Sequence, residues 1–328
     1  MQIFLTYDYE IFFGNPTGTV EKCIIEPTNL IRKISERTGV KMVFFVDVGY
    51  IKKLAQYRTV SKSADEDYQA VTNQIRTLVK EGHDCQLHIH PHWEDCKYDS
   101  KQWKMVTDRY KLVDFDDKEI ERIVLEYQKI LKDLTGKEVS SYRAGGWCLQ
   151  PFARMQSAFV KARIKLDSTV FPGGKFTAGN YYYDFTDSPK LSKWRFSDNL
   201  RRVESDGDFW EYPISSYFYS PLFFWRLFAL GRLNPDQHKP MGDGYPMSSP
   251  GLRKQMLTKG KLLCASVDGY FVTKLDKVLK ANQEKGFEEM VVLGHPKACT
   301  KFALKKLEQF INENKNKHEF ITFADLNL

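Results

Sequence analysis

The sequence predicts an α/β fold in which parallel strands alternate with helices, either a (β/α) barrel or a doubly wound sheet. Three observations predict it. Short apolar runs of strand type recur along the chain, separated by segments of helical period long enough to act as parallel crossovers. Chemically active residues fall just after one strand after another: Asp8 and Glu10, His88 to His92, Arg143, Asp167 and His295. In a barrel those strand ends meet on one face, which favours the barrel over the open sheet. Finally, 328 residues with 42% hydrophobic and 14% aromatic content can build one large core. With no clean boundary and no internal repeat, a single domain over 1–328 is expected.

The elements follow in order. Gln2 to Tyr7 reads as a buried strand that ends at Asp8 and Glu10. Pro27 to Arg37 has apolar residues at helical spacing and stops at Gly39. Lys41 to Val46 (KMVFFV) is a second strand, closed by Asp47 and Gly49. Val71 to Glu81 is a helix with Gly82 as its stop, and the next strand carries the histidines. Lys118 to Leu134 is a periodic helix ending at Gly136. Val139 to Tyr142 is a strand leading to Arg143 and Gly145-Gly146. Pro151 to Lys161 is helical, and Ile164 to Leu166 is a strand ending at Asp167. Towards the C-terminus, Phe209 to Ile214, Leu262 to Val267, Met290 to Leu293 and Phe320 to Phe323 are strands, with helices at Leu275 to Lys285 and Phe302 to Glu313. The least regular part, around 180–251, is rich in aromatics, Gly and Pro and is expected to be long loops or an insertion.

Composition narrows the function. Lys+Arg 49 against Asp+Glu 42 gives +7, but the basic residues are scattered through helical segments, so no nucleic-acid partner is expected. Six cysteines, Cys23, Cys85, Cys96, Cys148, Cys264 and Cys299, show no C-x-x-C pair and no framework spacing, and are expected to be reduced and structural. No basic and apolar leader precedes the first strand, which leads to the expectation of a cytoplasmic protein. The longest apolar window, Tyr217 to Leu230, is interrupted by Arg226 and is too short to span a bilayer.

The stretch with the clearest chemistry is GHDCQLHIHPHW, Gly82 to Trp93, where His88, His90 and His92 alternate. On a strand, i, i+2 and i+4 share a face, and Pro91 disfavours a helix, so three imidazoles could face one point. Imidazole is the commonest protein ligand for zinc and also suits iron and nickel. The remaining histidines, apart from His295, are expected to be structural: His83, His238 and His318.

Taken together these stretches resemble the NodB-homology polysaccharide deacetylases, carbohydrate esterase family 4. LTYDYE resembles that family's first motif, GHDCQLHIHPHW its histidine motif, YRAGGW its third, LDSTV around Asp167 its fourth, and LGHP at His295 its fifth. EYPIS looks like the strand before the last motifs. Order and spacing match from Gln2 to about Leu326. The resemblance implies a distorted, incomplete (β/α) barrel of the NodB type and a metal-dependent hydrolase that removes an N- or O-linked acetyl group from a sugar or glycan precursor in cell-surface polysaccharide biosynthesis. It implies Glu10, His88 and His92 as ligands of a divalent metal, zinc by default, with iron, cobalt or nickel accepting the same set. It implies Asp8 as general base, His295 as general acid, and Arg143 and Asp167 as supports, Arg143 orienting Asp8 and Asp167 pairing with Arg143 or His295.

The chain also departs from the family's pattern. Tyr9 stands where a second Asp is expected, so the acidic ligand is either Glu10 or Asp8 itself. Gly145 stands at the expected Pro, and Ile89 at the expected hydroxyl. His90 is additional, and only the resemblance selects His88 and His92 over it. YFYSPLFFWRLF, Tyr217 to Phe228, reads as core plus a partial lid, or as a segment touching a membrane where a lipid-linked glycan is displayed. Two rival readings are a non-catalytic glycan-binding homologue with a decayed site and another metal-dependent amidohydrolase.

Overall fold

The computed structural model describes residues 1–99, 102–247 and 251–327. The chain forms two compact units. One comprises Met1–Tyr7, Ile11–Met42 and Ile214–Ile321; the other comprises Asp8–Glu10, Val43–Pro213 and the chain from Thr322.

In the first unit, strand β1 (Gln2–Tyr9, its last two residues counted with the second unit) pairs in parallel with Glu289–Gly294 and with Glu319–Phe320. Its residues from Ile3 onward are all buried, which is why the run is apolar without alternation. Helix α1 (Glu26–Thr38) ends on Gly39 at φ 78°, a left-handed cap that glycine adopts without a Cβ penalty. Ser216–Tyr219 and Lys261–Cys264 form an antiparallel pair, and Leu275–Glu284 and Lys301–Asn314 are helices.

In the second unit the strand order is Trp194–Phe196, Phe209–Glu211, Leu166–Asp167, Ser141–Ala144, β3 (Asp84–Ile89) and β2 (Val43–Asp47). All pairs are parallel except the first. Helices α2 (Val48–Tyr57), α3 (Lys62–Lys80) and α4 (Asp117–Thr135) belong to this unit. Helix α4 opens with a capping box: the Asp116 carboxylate accepts from the Glu119 N–H and the Glu119 carboxylate accepts from the Asp116 N–H. It closes on Gly136 at φ 64°.

The register sets the site. Asp47 lies opposite His88, His88 opposite Arg143, and Asp167 opposite both Tyr142 and Glu211. Parallel strands starting at one level therefore deliver these polar residues to the same end.

Several elements differ from the sequence expectation. Helix α2, not expected from the sequence, follows directly on the strand that Asp47 and Gly49 close; Gly49 has no room for a Cβ, which would meet the Trp93 side chain at 2.8 Å. Helix α3 begins nine residues before Val71, from an Ser61 cap whose hydroxyl accepts from the Ala64 N–H. Much of 180–251 is regular structure, including the helix Pro221–Leu233, because its aromatic side chains supply a small core of their own around Tyr219, Phe223 and Phe224. Among the described residues no helix is long and apolar enough to cross a membrane.

Candidate metal centre

Strand β3 carries His88 and the chain leaves it extended at His90, so both imidazoles point the same way. They meet the carboxylate of Glu10: its Oε2 is 3.2 Å from His88 Nε2 and 2.7 Å from His90 Nε2. One ligand atom from each of Glu10, His88 and His90 lies within 4.8 Å of the other two, and all three residues are buried. The His88 Nδ1–H donates to the Arg143 carbonyl at 2.9 Å, which fixes the tautomer and leaves Nε2 as the ligand atom. Burial disfavours the His88 imidazolium, but the Asp8 and Glu10 carboxylates outweigh it and push its pKa up to about 9.

His92, expected as the second ligand beside His88, stands next to His90, with ring centroids 5.4 Å apart, and its ring is held by aromatic neighbours. Strand β3 stops at Ile89, and Pro91, which has no N–H to offer a ladder, opens a 3-10 turn over Pro91–Glu94. The i+4 alternation is lost there. The His92 ring instead stacks on Tyr110, with centroids 5.3 Å apart and planes within 10°, and on Trp93 at 5.7 Å. It is fully buried, and burial together with neighbouring His90 holds its pKa well below the ordinary value.

What admits His90 is Gly145. A Cβ at this position would lie 2.5 Å from His90 Nδ1 and 2.6 Å from its Cε1 and Cγ. A proline ring, expected there from the resemblance, would occupy the space of the imidazole. The two departures from the motif, Gly145 and His90, are thus one structural feature.

Beside the three ligands stands Asp8, its Oδ2 3.9 Å from His88 Nε2. Arg143, wholly buried, donates from Nη1 to Asp8 Oδ1 at 2.9 Å, from Nε to the Ser168 carbonyl at 2.7 Å and from Nη2 to the Ser168 hydroxyl at 3.0 Å; its guanidinium also lies 4.2 Å from the Phe45 ring centroid. Arg143 thus holds the Oδ1 side of the Asp8 carboxylate. Asp167, expected to pair with Arg143 or His295, lies within reach of the Arg143 charge. Asp167 accepts from the Thr169 N–H and hydroxyl and hydrogen-bonds Glu211, whose carboxyl is held well above its ordinary range by burial and by Asp167. Asp167 thus shapes the Ser168–Thr169 turn on which Arg143 rests.

In the first unit, His295 follows the strand Glu289–Gly294. Its N–H and its Nδ1–H both donate to the Asp268 carboxylate, at 2.8 and 2.7 Å. Asp268 was not singled out from the sequence, nor were Asp47 and Glu211. Each sits where an apolar strand run ends, the signal that did find Asp8 and Asp167. Asp47 accepts from Trp93 Nε1 at 2.6 Å, and burial, opposed by His88 and reinforced by Glu10, pushes it up to about 7.

The donor set of one carboxylate and two imidazoles, with one tautomer locked by a carbonyl, fits a divalent ion of the zinc type with a coordination position left for solvent or substrate. No family model matches the chain and no curated protein matches it. Solved structures do. A Mycobacterium smegmatis protein provisionally assigned as a polysaccharide deacetylase is 14% identical, over 98% of this chain and 87% of that one, with a TM-score of 0.51. A probable polysaccharide deacetylase from Pseudomonas aeruginosa PAO1 is 12% identical, over 99% and 88%, with the same TM-score of 0.51. The structure of PuuE allantoinase is also 12% identical, over 99% and 88%, at a TM-score of 0.48. The first two likenesses show the architecture: the chain has the distorted, incomplete (β/α) barrel of the NodB deacetylase type.

Proposed function

We propose that this protein is a metal-dependent hydrolase that removes an acetyl group, N- or O-linked, from a sugar or glycan. The observation that carries the reading is the buried Glu10, His88 and His90 group with a second carboxylate, Asp8, clamped beside it by Arg143. Glu10, His88 and His90 would hold the ion, zinc by ligand type, with iron, cobalt or nickel as substitutes. Such an ion supplies Lewis-acid polarisation of the acyl carbonyl. Asp8 takes the proton of the attacking water, and the Arg143 clamp fixes which of its oxygens is available. His295 is assigned the return of a proton to the leaving amine or alcohol, on the strength of the LGHP resemblance and of the Asp268 carboxylate that orients its ring. Asp167 supports the turn under Arg143.

The substrate class follows the assignments of the M. smegmatis and P. aeruginosa proteins as polysaccharide deacetylases. All six cysteines are free and buried, which supports a reducing, cytoplasmic setting and hence a glycan precursor as the substrate, in cell-surface polysaccharide synthesis. The test is acetate release from N- and O-acetylated oligosaccharides by protein loaded with zinc or cobalt. Wild type should release acetate, and Asp8→Asn should lose activity while still binding one equivalent of metal. Stoichiometric metal with no acetate released from either bond type would overturn the hydrolase reading in favour of a glycan-binding protein.

A further inference from the structure

The helix Pro221–Leu233 is apolar on more than one side, and only one of those sides is covered. Ser220 caps it, the hydroxyl accepting from the Phe223 N–H, and Pro221 fills the first turn. Phe223 and Phe224 turn inward on Tyr219 and are packed by Leu227, Phe228, Met256, Leu257 and Phe271. The outward face runs through Leu222, Trp225, Arg226, Ala229, Arg232 and Leu233, at i, i+3, i+4, i+7, i+10 and i+11, and each of these is exposed. Leu222 is 59% exposed, Trp225 58% and Leu233 83%, and Phe218 on the preceding strand is 55% exposed. A helix lying against its own protein carries polar residues on its solvent side. Here that side carries leucine, tryptophan and arginine.

The charge near this face is predominantly positive, although the exposed Asp236 stands two residues beyond Asn234. The stretches 217–234 and 251–261 contain Arg226, Arg232, Arg253, Lys254, Lys259 and Lys261 and no acidic residue. Across the whole chain the ratio is 49 to 42, so the bias is local. Arg253, on the helix Leu252–Lys259, lies with its guanidinium 4.7 Å from the Phe228 ring centroid, which joins that helix to the patch. Trp225 is also pre-set: its indole N–H donates to the Leu257 carbonyl at 3.1 Å, so its polar atom is satisfied inward while its ring remains exposed.

From this arrangement we infer that the Pro221–Leu233 face docks peripherally on an anionic phospholipid surface. Aliphatic and aromatic side chains interleaved with cations, and flanked by further cations, suit the boundary between acyl chains and acidic headgroups. At 13 residues the helix is about 20 Å long, too short to span a bilayer, so it lies in the plane of the interface. A second copy of the chain fits less well, because a two-fold contact would bring six cations against six. The inference stands apart from the hydrolase reading and uses no residue of the metal centre.

The test is co-sedimentation of the full chain with phosphatidylcholine vesicles, with and without phosphatidylserine, at low and high salt. Wild type should pellet with the phosphatidylserine vesicles, release as salt rises, and show a blue-shifted tryptophan emission. Trp225→Glu and Leu222→Glu should each weaken binding about tenfold or more, as should the double reversal Arg226→Glu with Arg232→Glu. Circular dichroism and metal content should be unchanged, since these side chains are exposed. Wild type that stays in the supernatant at low salt, or binding that the three variants retain, overturns the inference. A dimer in light scattering that Leu222→Glu abolishes, without lipid binding, assigns the face to self-association and equally overturns it.

Discussion

Replacing Gly145 by alanine tests which histidine serves the centre. The added Cβ would sit 2.5 to 2.6 Å from three atoms of the His90 ring, whereas non-bonded carbons rest at about 3.5 to 4.0 Å. The ring must therefore retreat by about 1 Å. It is hemmed in by His88, His92 and Tyr110, with centroids 4.7, 5.4 and 6.0 Å away, so it turns off the Glu10 carboxylate instead of sliding along it. Metal–ligand distances tolerate only about 0.2 Å. Gly145→Ala should weaken zinc or cobalt binding by at least about 10–100-fold, which is about 1.4–2.8 kcal/mol, while overpacking costs the fold about 1–3 kcal/mol. Isothermal titration and the visible spectrum of the cobalt protein read the first effect, thermal melting of the metal-free protein the second. Gly231→Ala, whose Cβ would meet nothing within 4 Å, is the control. His90→Ala should abolish binding, and His92→Ala should mainly lower stability through the lost Tyr110 and Trp93 stacking. If Gly145→Ala and His90→Ala keep wild-type affinity while His92→Ala loses it, the Glu10, His88 and His90 grouping is refuted in favour of the pair implied by the histidine motif.

Two further outcomes follow from the same geometry. Arg143→Met leaves the buried Asp8 carboxylate without its cation, and stability should fall by about 3–5 kcal/mol in chemical denaturation at neutral pH, with a smaller loss for Arg143→Met combined with Asp8→Asn. The His88 shift sets a pH dependence with two readable signs. In metal-free protein its pKa is raised from 6.5 to about 9, so the stabilisation is fully present below 6.5 and is lost as pH rises through about 9. A metal competes with that proton, so its apparent affinity should climb about tenfold per pH unit up to about 9 and then level off. An affinity flat from pH 6.5 to 9 would show that His88 is not a ligand.

Most of the element order was legible because apolar runs and helix stops are local. Gly39 and Gly136 mark their helix ends at the expected positions, and Val43–Asp47 and Glu289–Gly294 are buried strands where unbroken apolar runs stand. Helix α2 was not legible, since Asp47 and Gly49 carry the signals of a turn while the glycine is there for the Trp93 ring. Asp8, Glu10, His88 and Arg143 could be singled out from their places at strand ends. The partners Ser168, Glu211 and Asp268 could not, because each is chosen by which strand end lies beside it.

The sequence by itself determined the alternation of strand and helix, the carboxylates and histidines that terminate the strands, and the local excess of positive charge near the Pro221–Leu233 helix. These depend on residue type and on spacing along the chain, which neighbours in space do not alter. Only the tertiary structure decided that His90 joins Glu10 and His88, that His92 goes to an aromatic stack, and that Gly145 makes room for the change. A period of two residues holds only while the strand lasts, and β3 ends one residue before His90 and two before Pro91. Beyond that point the direction of each ring is set by what packs against it.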